Sequence, residues 1–82
     1  MKLIKEKTTF EEALGQVKLG SIISRVGWNG KNLTVEICPQ LDPYQAPYLF
    51  IVNGEGLTVP WVPSQGDLLA NDWCIYQKSI KE

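Results

Sequence analysis

Hydrophobic residues near the start of the chain are spaced as on one side of a helix. Phe10, Ala13, Leu14 and Val17 occupy positions i, i+3, i+4 and i+7, which lie on a single helical face. Such a face is typical of a helix that packs against a hydrophobic core. The pattern therefore predicts a helix that begins close to Phe10.

The residues around this segment are typical of helix ends. Thr9 and Glu12 have the spacing of a capping box, in which each side chain bonds the other residue's backbone. Lys18 suits the carboxyl end of the helix dipole, and Gly20 supplies a stop. Residues 1–8 are predicted to be an N-terminal extension or a short edge strand.

After Gly20 the pattern changes to short strands separated by turns. Strands are predicted over residues 21–26, 33–37, 48–52, 57–59 and 73–77. The turns at 27–31 and 53–56 each contain Asn-Gly, a strong signal for a hairpin. Three prolines make residues 38–47 a loop, and Pro60 and Pro63 end regular pairing.

A second, short helix is predicted near Ser64–Ala70. Ser64 can cap it, and Asp67 follows at the position that completes a capping box. We therefore expect an α+β fold, with the N-terminal helix packed on a small antiparallel sheet of hairpins. Residues 1–82 are expected to form a single domain with a frayed tail over 78–82.

The charge distribution argues against binding to long nucleic acids. The net charge is −1, and no Lys or Arg occurs between Lys31 and Lys78. Nucleic-acid binding depends on basic side chains that neutralise phosphates, and this chain has no basic stripe. A small anion remains a possible ligand because one or two cations and backbone N–H groups suffice to hold it.

The sequence shows no targeting or membrane signal. Residues 1–7 lack the apolar core of a signal peptide, and no apolar run is long enough to span a bilayer. We expect a cytoplasmic protein that contacts no membrane. Cys38 and Cys74 are too few for a disulfide scaffold and should stay reduced.

Residues typical of catalysis and metal binding are scarce. The chain has no histidine, and its two cysteines are too far apart to form a zinc ligand pair. Asp67 and Asp72 offer an acid/base pair in principle, but Asp67 is better explained as a helix cap and Asp72 as the residue before a strand. The sequence therefore predicts no enzyme, no metal and no cofactor.

Three tryptophans point to binding instead. Trp28 falls in a turn, Trp61 between two prolines and Trp73 at the start of a strand. We expect Trp73 in the core, whereas Trp61 could be core or surface and Trp28 is placed at the surface by its turn.

Trp28 lies close in sequence to two cations and an amide. Arg25, Asn29 and Lys31 surround it, so a planar base could stack on the indole while the cations meet phosphates. A hairpin turn with solvated charges explains the same residues. The sequence pattern by itself leaves a nucleotide site and a protein-interaction module equally open.

A set of short motifs adds a family resemblance. From Phe10 to about Ile75 the chain resembles the second Thoeris anti-defence family, small phage and prophage proteins. The residues that carry the likeness are Phe10-Glu11-Glu12-Ala13-Leu14, Gly20, Arg25, Gly27-Trp28-Asn29-Gly30-Lys31, Pro47-Tyr48-Leu49, the run from Pro60 to Ala70, and Asp72-Trp73.

The resemblance implies a sponge for a signalling nucleotide. Thoeris is a bacterial anti-phage system whose TIR-domain enzyme makes a cyclic ADP-ribose isomer that activates a killing effector. Family members bind this 1″–3′ glycocyclic isomer without cleaving it, and some also take up cyclic dinucleotides. They form homotetramers built from dimers, with ligand sites at subunit interfaces.

Carried over by position, the resemblance implies the residues of a pocket. Trp28, Asn29 and Lys31 would belong to it, with Arg25 beside them. Phe50 and Trp61 are further candidates for contacting the base. The polar side would consist of Ser64, Gln65 and Asp67.

The sequence departs from shorter members at its start and in the proline-rich loop from Cys38 to Pro47, which leaves the ligand preference open.

Two alternatives to sequestration are a homo-oligomeric protein-interaction module without a nucleotide ligand and a nucleotide hydrolase that uses Asp67.

Overall fold

A computed structural model of the chain describes residues 1–28 and 32–78. The strands in these residues are β1 (Lys2–Thr8), β2 (Ile22–Arg25), β3 (Thr34–Cys38), β4 (Tyr48–Val52), β5 (Thr58–Pro60) and β6 (Trp73–Gln77). The helices are α1 (Phe10–Val17) and α2 (Gln65–Leu69), and a short 3₁₀ turn over Val26–Trp28 follows β2.

The six described strands form one antiparallel sheet in the order β1-β6-β2-β3-β4-β5. An α+β fold with an antiparallel sheet and two helices is thereby confirmed. β6 comes last along the described chain but lies between β1 and β2. Strands from the two ends of the chain therefore pair with each other in the sheet.

Residues 1–8 contain a strand, the second of the two alternatives that the sequence left open. β1 pairs with β6 from Lys2 opposite Gln77 to Thr8 opposite Trp73, with two irregularities in register. Irregular pairing and lysines on an edge strand discourage contact with another sheet edge.

Helix α1 begins as predicted, but its capping box is only half formed. The Thr9 hydroxyl accepts a hydrogen bond from the Glu12 backbone N–H at 3.3 Å. The Glu12 carboxylate does not return to Thr9, because it accepts hydrogen bonds from Lys5 Nζ at 2.8 Å and Thr8 Oγ1 at 2.8 Å. Gly20 ends the helical segment at a φ of +107°, a conformation that glycine adopts without strain.

The core lies between α1 and the sheet. Its buried members come from the helix and from β2, β3 and β6: Ala13, Val17, Ile23, Val35, Trp73 and Ile75. Full burial of a valine or isoleucine side chain contributes about 1.5–3 kcal/mol to the free energy of unfolding. The helical spacing of the apolar residues and the two-residue alternation of the strands both point their side chains into this layer.

The predicted strand limits agree with the structure at β4 and β6 and differ by one or two residues elsewhere. β5 includes Pro60, where the sequence predicted that pairing ends. Proline is tolerated there because β5 is an edge strand.

The opposite face of the sheet is not covered by any helix that the structure describes. We call it the open face; the strand register places on it Ile22, Ser24, Thr34, Glu36, Cys38, Tyr48, Phe50, Val52, Cys74 and Tyr76. One ion pair crosses it, from Lys78 Nζ to Glu36 Oε1 at 3.1 Å. Residues 79–82, which complete the predicted tail, lie outside the described residues.

Across residues 1–28 and 32–78, neither helix has the length and apolar character needed to cross a membrane.

Candidate functional site

Four aromatic rings meet on the helix side of the sheet. Trp73 is central: its ring centroid lies 5.3 Å from that of Trp28, 5.9 Å from Trp61 and 5.3 Å from Phe10. The Trp28 and Trp61 centroids are 6.5 Å apart with the ring planes at 77°. Edge-to-face contacts of this kind are favourable for indoles. We call these four residues the aromatic cluster.

The three tryptophans are buried to different extents. Trp73 is 0% exposed, so its predicted place in the core is confirmed. Its indole N–H donates to the Asp67 carbonyl at 2.9 Å, which satisfies the polar atom of a buried ring. Trp28 and Trp61 are half-buried and pack against the core. Part of each indole therefore remains at the surface.

Trp28 is less exposed than its place in a turn suggested. It ends the 3₁₀ turn Val26–Trp28, and this turn brings the indole back onto Trp73. Local turn geometry did not predict this contact because Trp73 lies far away in sequence. Asn29 and Lys31, the next two predicted site residues, lie outside the described residues, as does the Asn-Gly pair predicted to form a hairpin there.

Arg25 forms ion pairs with two carboxylates. Its Nε donates to Asp72 Oδ1 at 2.8 Å, and its Nη1 donates to Asp67 Oδ1 at 2.9 Å. The side chains are 20% exposed for Arg25, 12% for Asp67 and 29% for Asp72. The sequence suggested Arg25 as a cation for a ligand anion, whereas the structure shows its charge shared between two aspartates.

The same network carries a capping box at α2, as predicted. Ser64 Oγ accepts from the Asp67 backbone N–H at 3.1 Å, and Asp67 Oδ2 accepts from the Ser64 backbone N–H at 2.9 Å. Ser64 and Asp67 therefore hydrogen-bond to each other through their side chains and backbone N–H groups, while Gln65 between them in the sequence is exposed. With five residues, α2 is too short to offer an anion site of its own.

Both aspartates are kept ionised by this arrangement. Hydrogen bonding from Arg25 lowers the pKa of Asp72, and the Gly27 backbone N–H adds to the effect. Burial acts to raise the pKa of Asp67, but hydrogen bonds from Ser64 and Arg25, with a smaller contribution from Trp28, lower it overall. The hydrogen bond to Asp72 raises the pKa of Arg25 in turn.

A general acid at neutral pH needs a raised pKa. The two carboxylates that the sequence offered as an acid/base pair have the opposite shift and are engaged in ion pairs. Their arrangement suits a structural network better than proton transfer. Within the described residues, no three His, Cys, Asp or Glu side chains are grouped to bind a metal ion.

Phe50 lies on the other side of the sheet. It pairs with Glu36 and Pro60, while its neighbours Leu49 and Ile51 pack against the core. Because side chains alternate along a strand, Phe50 belongs to the open face. Within one chain the structure thus brings together Arg25, Trp28, Trp61, Ser64 and Asp67, but not Phe50.

Sequence reasoning missed three residues of this region. The sequence indicated only packing for Phe10 and Trp73, and it offered Asp72 as one half of an acid/base pair or as the residue before a strand, not as an ion-pair partner of Arg25. The one signal in the sequence was Arg25, the only arginine in the chain, which is followed by Asp42, Asp67 and Asp72 as candidate ion-pair partners. Its two partners lie 42 and 47 residues away, a distance over which no local pattern operates.

Two cavities lie away from the aromatic cluster. One of about 740 Å³ is bounded by the start of β1, the end of α1 and the end of β6. The other, of about 400 Å³, lies by the open face near Ser24, Thr34 and Tyr76. None of the predicted site residues that the structure describes lines either cavity.

Comparison with known proteins agrees with the resemblance seen in the sequence. The profile of the Thoeris anti-defense 2-like domain family matches residues 8–76. The protein Thoeris anti-defense 2 of Bacillus phage SP01 is 33% identical over 87 aligned positions, which cover 88% of this chain and 98% of that protein.

Proposed function

Since the chain belongs to the Thoeris anti-defense 2-like family, we propose that it binds and sequesters a cyclic ADP-ribose isomer made by a TIR-domain enzyme. Family membership supports a role in evading anti-phage defence and is consistent with a non-enzymatic one. The proposed ligand is the 1″–3′ glycocyclic form, with cyclic dinucleotides as further ligands. The proposed place of action is the cytoplasm of the infected cell.

The observation that carries the proposal is the paired placement of Trp28 and Trp61. Both indoles are half-buried, so packing against the core holds each ring while leaving surface for a ligand. A ring held in this way loses little conformational freedom when a base stacks on it. Stacking of a base on an aromatic side chain contributes about 1–3 kcal/mol.

We assign the polar contacts of the site to residues close to these two tryptophans in the sequence. Asn29 follows Trp28 directly, Lys31 is three residues after Trp28, and Gln65 is exposed at the start of α2. Lys31 supplies a cation for the phosphates in this proposal, because the charge of Arg25 is shared with Asp67 and Asp72.

Capture without cleavage fits the protonation of the site. Asp67 and Asp72, the two carboxylates that bind Arg25, have lowered pKa values. Neither offers a proton to a leaving group at neutral pH. The ligand would leave the protein chemically unchanged.

The protein is further proposed to act as a homotetramer built from dimers. A chain of 9.2 kDa has little surface with which to enclose a nucleotide, and tight capture is favoured when the ligand is enclosed between subunits. The open face is the surface we assign to self-association. Phe50 lies on it, so Phe50 can reach a ligand only if a second copy brings it there.

The direct test is capture followed by release. The protein is incubated with 1″–3′ glycocyclic ADP-ribose, filtered, heat-denatured, and the released nucleotide is identified by mass spectrometry. We expect the intact isomer in amounts stoichiometric with the binding sites. Recovery of a linear product would support a hydrolase, which Asp67→Asn should then inactivate.

Trp28→Ala identifies the stacking surface. We expect the nucleotide to bind about 5- to 150-fold more weakly, the equivalent of the stacking free energy. Val62→Ala is the control, because Val62 is 86% exposed and follows Trp61 directly. Circular dichroism should show both variants folded at the temperature of the titration. Undiminished binding by a folded Trp28→Ala protein would contradict the proposal.

The open face also favours a second candidate function, a protein-interaction module without a nucleotide ligand. This alternative predicts no thermal shift with any of the cyclic nucleotides tested, together with self-association that depends on open-face residues.

A further inference from the structure

We propose that Arg25 is a positioning residue that, with Asp67 and Asp72, holds Trp28 in place relative to Trp61 and so sets the affinity for nucleotide without contacting it. The inference rests on the proposed function, in which these two indoles form the ligand surface. It gives Arg25 a role other than the anion contact suggested by its position in the sequence.

Arg25 joins three segments of the chain. Arg25 is the last residue of β2, Asp67 lies within α2, and Asp72 immediately precedes β6. The guanidinium donates to both carboxylates at 2.8 and 2.9 Å. A planar group with several fixed donors suits such a bridge, whereas a lysine ammonium cannot reproduce its geometry.

Asp72 fixes the turn that carries Trp28. Its Oδ2 accepts from the Gly27 backbone N–H at 2.7 Å, and its carbonyl accepts from the Val26 backbone N–H at 3.1 Å. The two residues before Trp28 are thus both bonded to one aspartate, whose other carboxylate oxygen binds Arg25.

Gly27 shows how closely the turn approaches this network. A Cβ at this position would lie 2.9 Å from Asp72 Oδ2 and 3.2 Å from Arg25 Nη2. The first distance is shorter than a methyl group tolerates, so the Asp72 carboxylate would have to shift. Alanine at position 27 therefore perturbs the carboxylate that also binds Arg25.

Asp67 connects the network to Trp61 and Trp73. Its capping box starts at Ser64, three residues after Trp61, with the rigid Pro63 between them. Its carbonyl accepts the indole N–H of Trp73, the ring on which both Trp28 and Trp61 pack. Arg25 therefore links the backbone before Trp28 to the segment after Trp61.

A direct contact with phosphate fits these observations less well. An anion that recruited Arg25 would compete with the two charge-assisted hydrogen bonds that Arg25 donates to partly buried carboxylates. The two roles make opposite predictions for Asp72→Asn. If Arg25 binds the anion, loss of the competing charge strengthens binding; if Arg25 positions Trp28, loss of the network weakens it.

The experiment measures the dissociation constant of 1″–3′ glycocyclic ADP-ribose by calorimetry for Asp72→Asn, Arg25→Lys and Gly27→Ala. We expect each to weaken binding about 2- to 30-fold, the range for substitutions that act through neighbouring residues. Gly27→Ala keeps every charged group and crowds only the Asp72 carboxylate and the Arg25 guanidinium, so weaker binding there cannot come from a change in net charge. Glu12→Gln, which breaks the exposed Lys5–Glu12 pair, is the matched control and should bind as the unsubstituted protein does.

A second readout is the near-ultraviolet circular dichroism of the free protein, which reports the mutual orientation of the indoles. We expect the spectrum to change in the three network variants and to stay the same in Glu12→Gln. Equal or tighter binding by Asp72→Asn overturns the proposal. If the unsubstituted protein binds no nucleotide, the proposed function fails, and unchanged spectra in all three variants then overturn the positioning role separately.

Discussion

Single residues in this protein combine several contacts, and Asp67 is the clearest case. Its backbone N–H and one carboxylate oxygen form the capping box with Ser64, while the other oxygen binds Arg25. Its carbonyl accepts from Trp73. One partly buried aspartate thus helps to hold a helix end, an ion pair and an indole. Satisfied networks of this kind make the placement of neighbouring rings more specific.

Acid should weaken the fold through these carboxylates. A group whose pKa is lowered by folding adds stability that is present above its unfolded pKa, about 3.9 for aspartate, and lost as the pH falls through the folded value. Because the pKa values of Asp67 and Asp72 are lowered, we expect urea midpoints to change little from these groups between pH 7 and 5 and to drop below about pH 4.

Asp72→Asn tests this contribution. The variant should be less stable at pH 7 and should lose less of its remaining stability on acidification, because one of the two ionised partners of Arg25 is already absent while Asp67 remains. Asn71→Ala, at the exposed neighbouring position, is the control. If the urea midpoint of Asp72→Asn falls as steeply below pH 4 as that of the unsubstituted protein, the loss of stability in acid arises from other groups.

Among the elements, the two helices depend on their N-caps to different degrees. In α2 the capping box is complete and the helix has five residues, whereas in α1 only the bond to Thr9 is present and the helix has eight. A short helix has few internal hydrogen bonds with which to offset the loss of a cap.

Ser64→Ala should therefore destabilise the protein more than Thr9→Ala. We expect about 1–2 kcal/mol for Ser64→Ala and about 0.5–1 kcal/mol for Thr9→Ala, measured by urea unfolding. Ser64→Asp, which restores a capping oxygen, should recover most of the loss. A larger effect at Thr9 than at Ser64 would be inconsistent with the caps as the structure shows them.

For the whole molecule, the main feature is that the described helices cover only one face of the sheet. α1 packs on β2, β3 and β6 from one side, and no described helix covers the other. Apolar side chains such as Phe50 and Val52 belong to this uncovered side. Apolar side chains that remain partly exposed on a sheet face without a covering helix offer a surface for self-association.

Val52→Lys should disrupt the proposed tetramer. A charge introduced into an apolar contact must be desolvated twice in a symmetric interface, once for each copy. Size-exclusion chromatography with light scattering should show four copies of the 9.2 kDa chain in the unsubstituted protein and fewer in the variant. Val62→Lys, at a position 86% exposed, serves as the control. A monomeric unsubstituted protein would contradict the assembly.

Much of the local structure can be derived from the chain by itself. The spacing of Phe10, Ala13, Leu14 and Val17 predicts α1, and short apolar runs separated by turns and loops predict β4 and β6 at their observed limits. The Ser64–Asp67 capping box is readable because its partners are three residues apart. These features depend on interactions between near neighbours, so the order of residues suffices to predict them.

Contacts between residues that are distant in the sequence were decided only by the tertiary structure. The pairing of β1 with β6, the ion pairs of Arg25 and the contact of Trp28 with Trp73 each connect positions more than 40 apart. The separation of Phe50 from the two half-buried tryptophans likewise follows from the register of β4 in the completed sheet. Which distant groups meet depends on how the whole chain buries its apolar surface, and no local pattern carries that information.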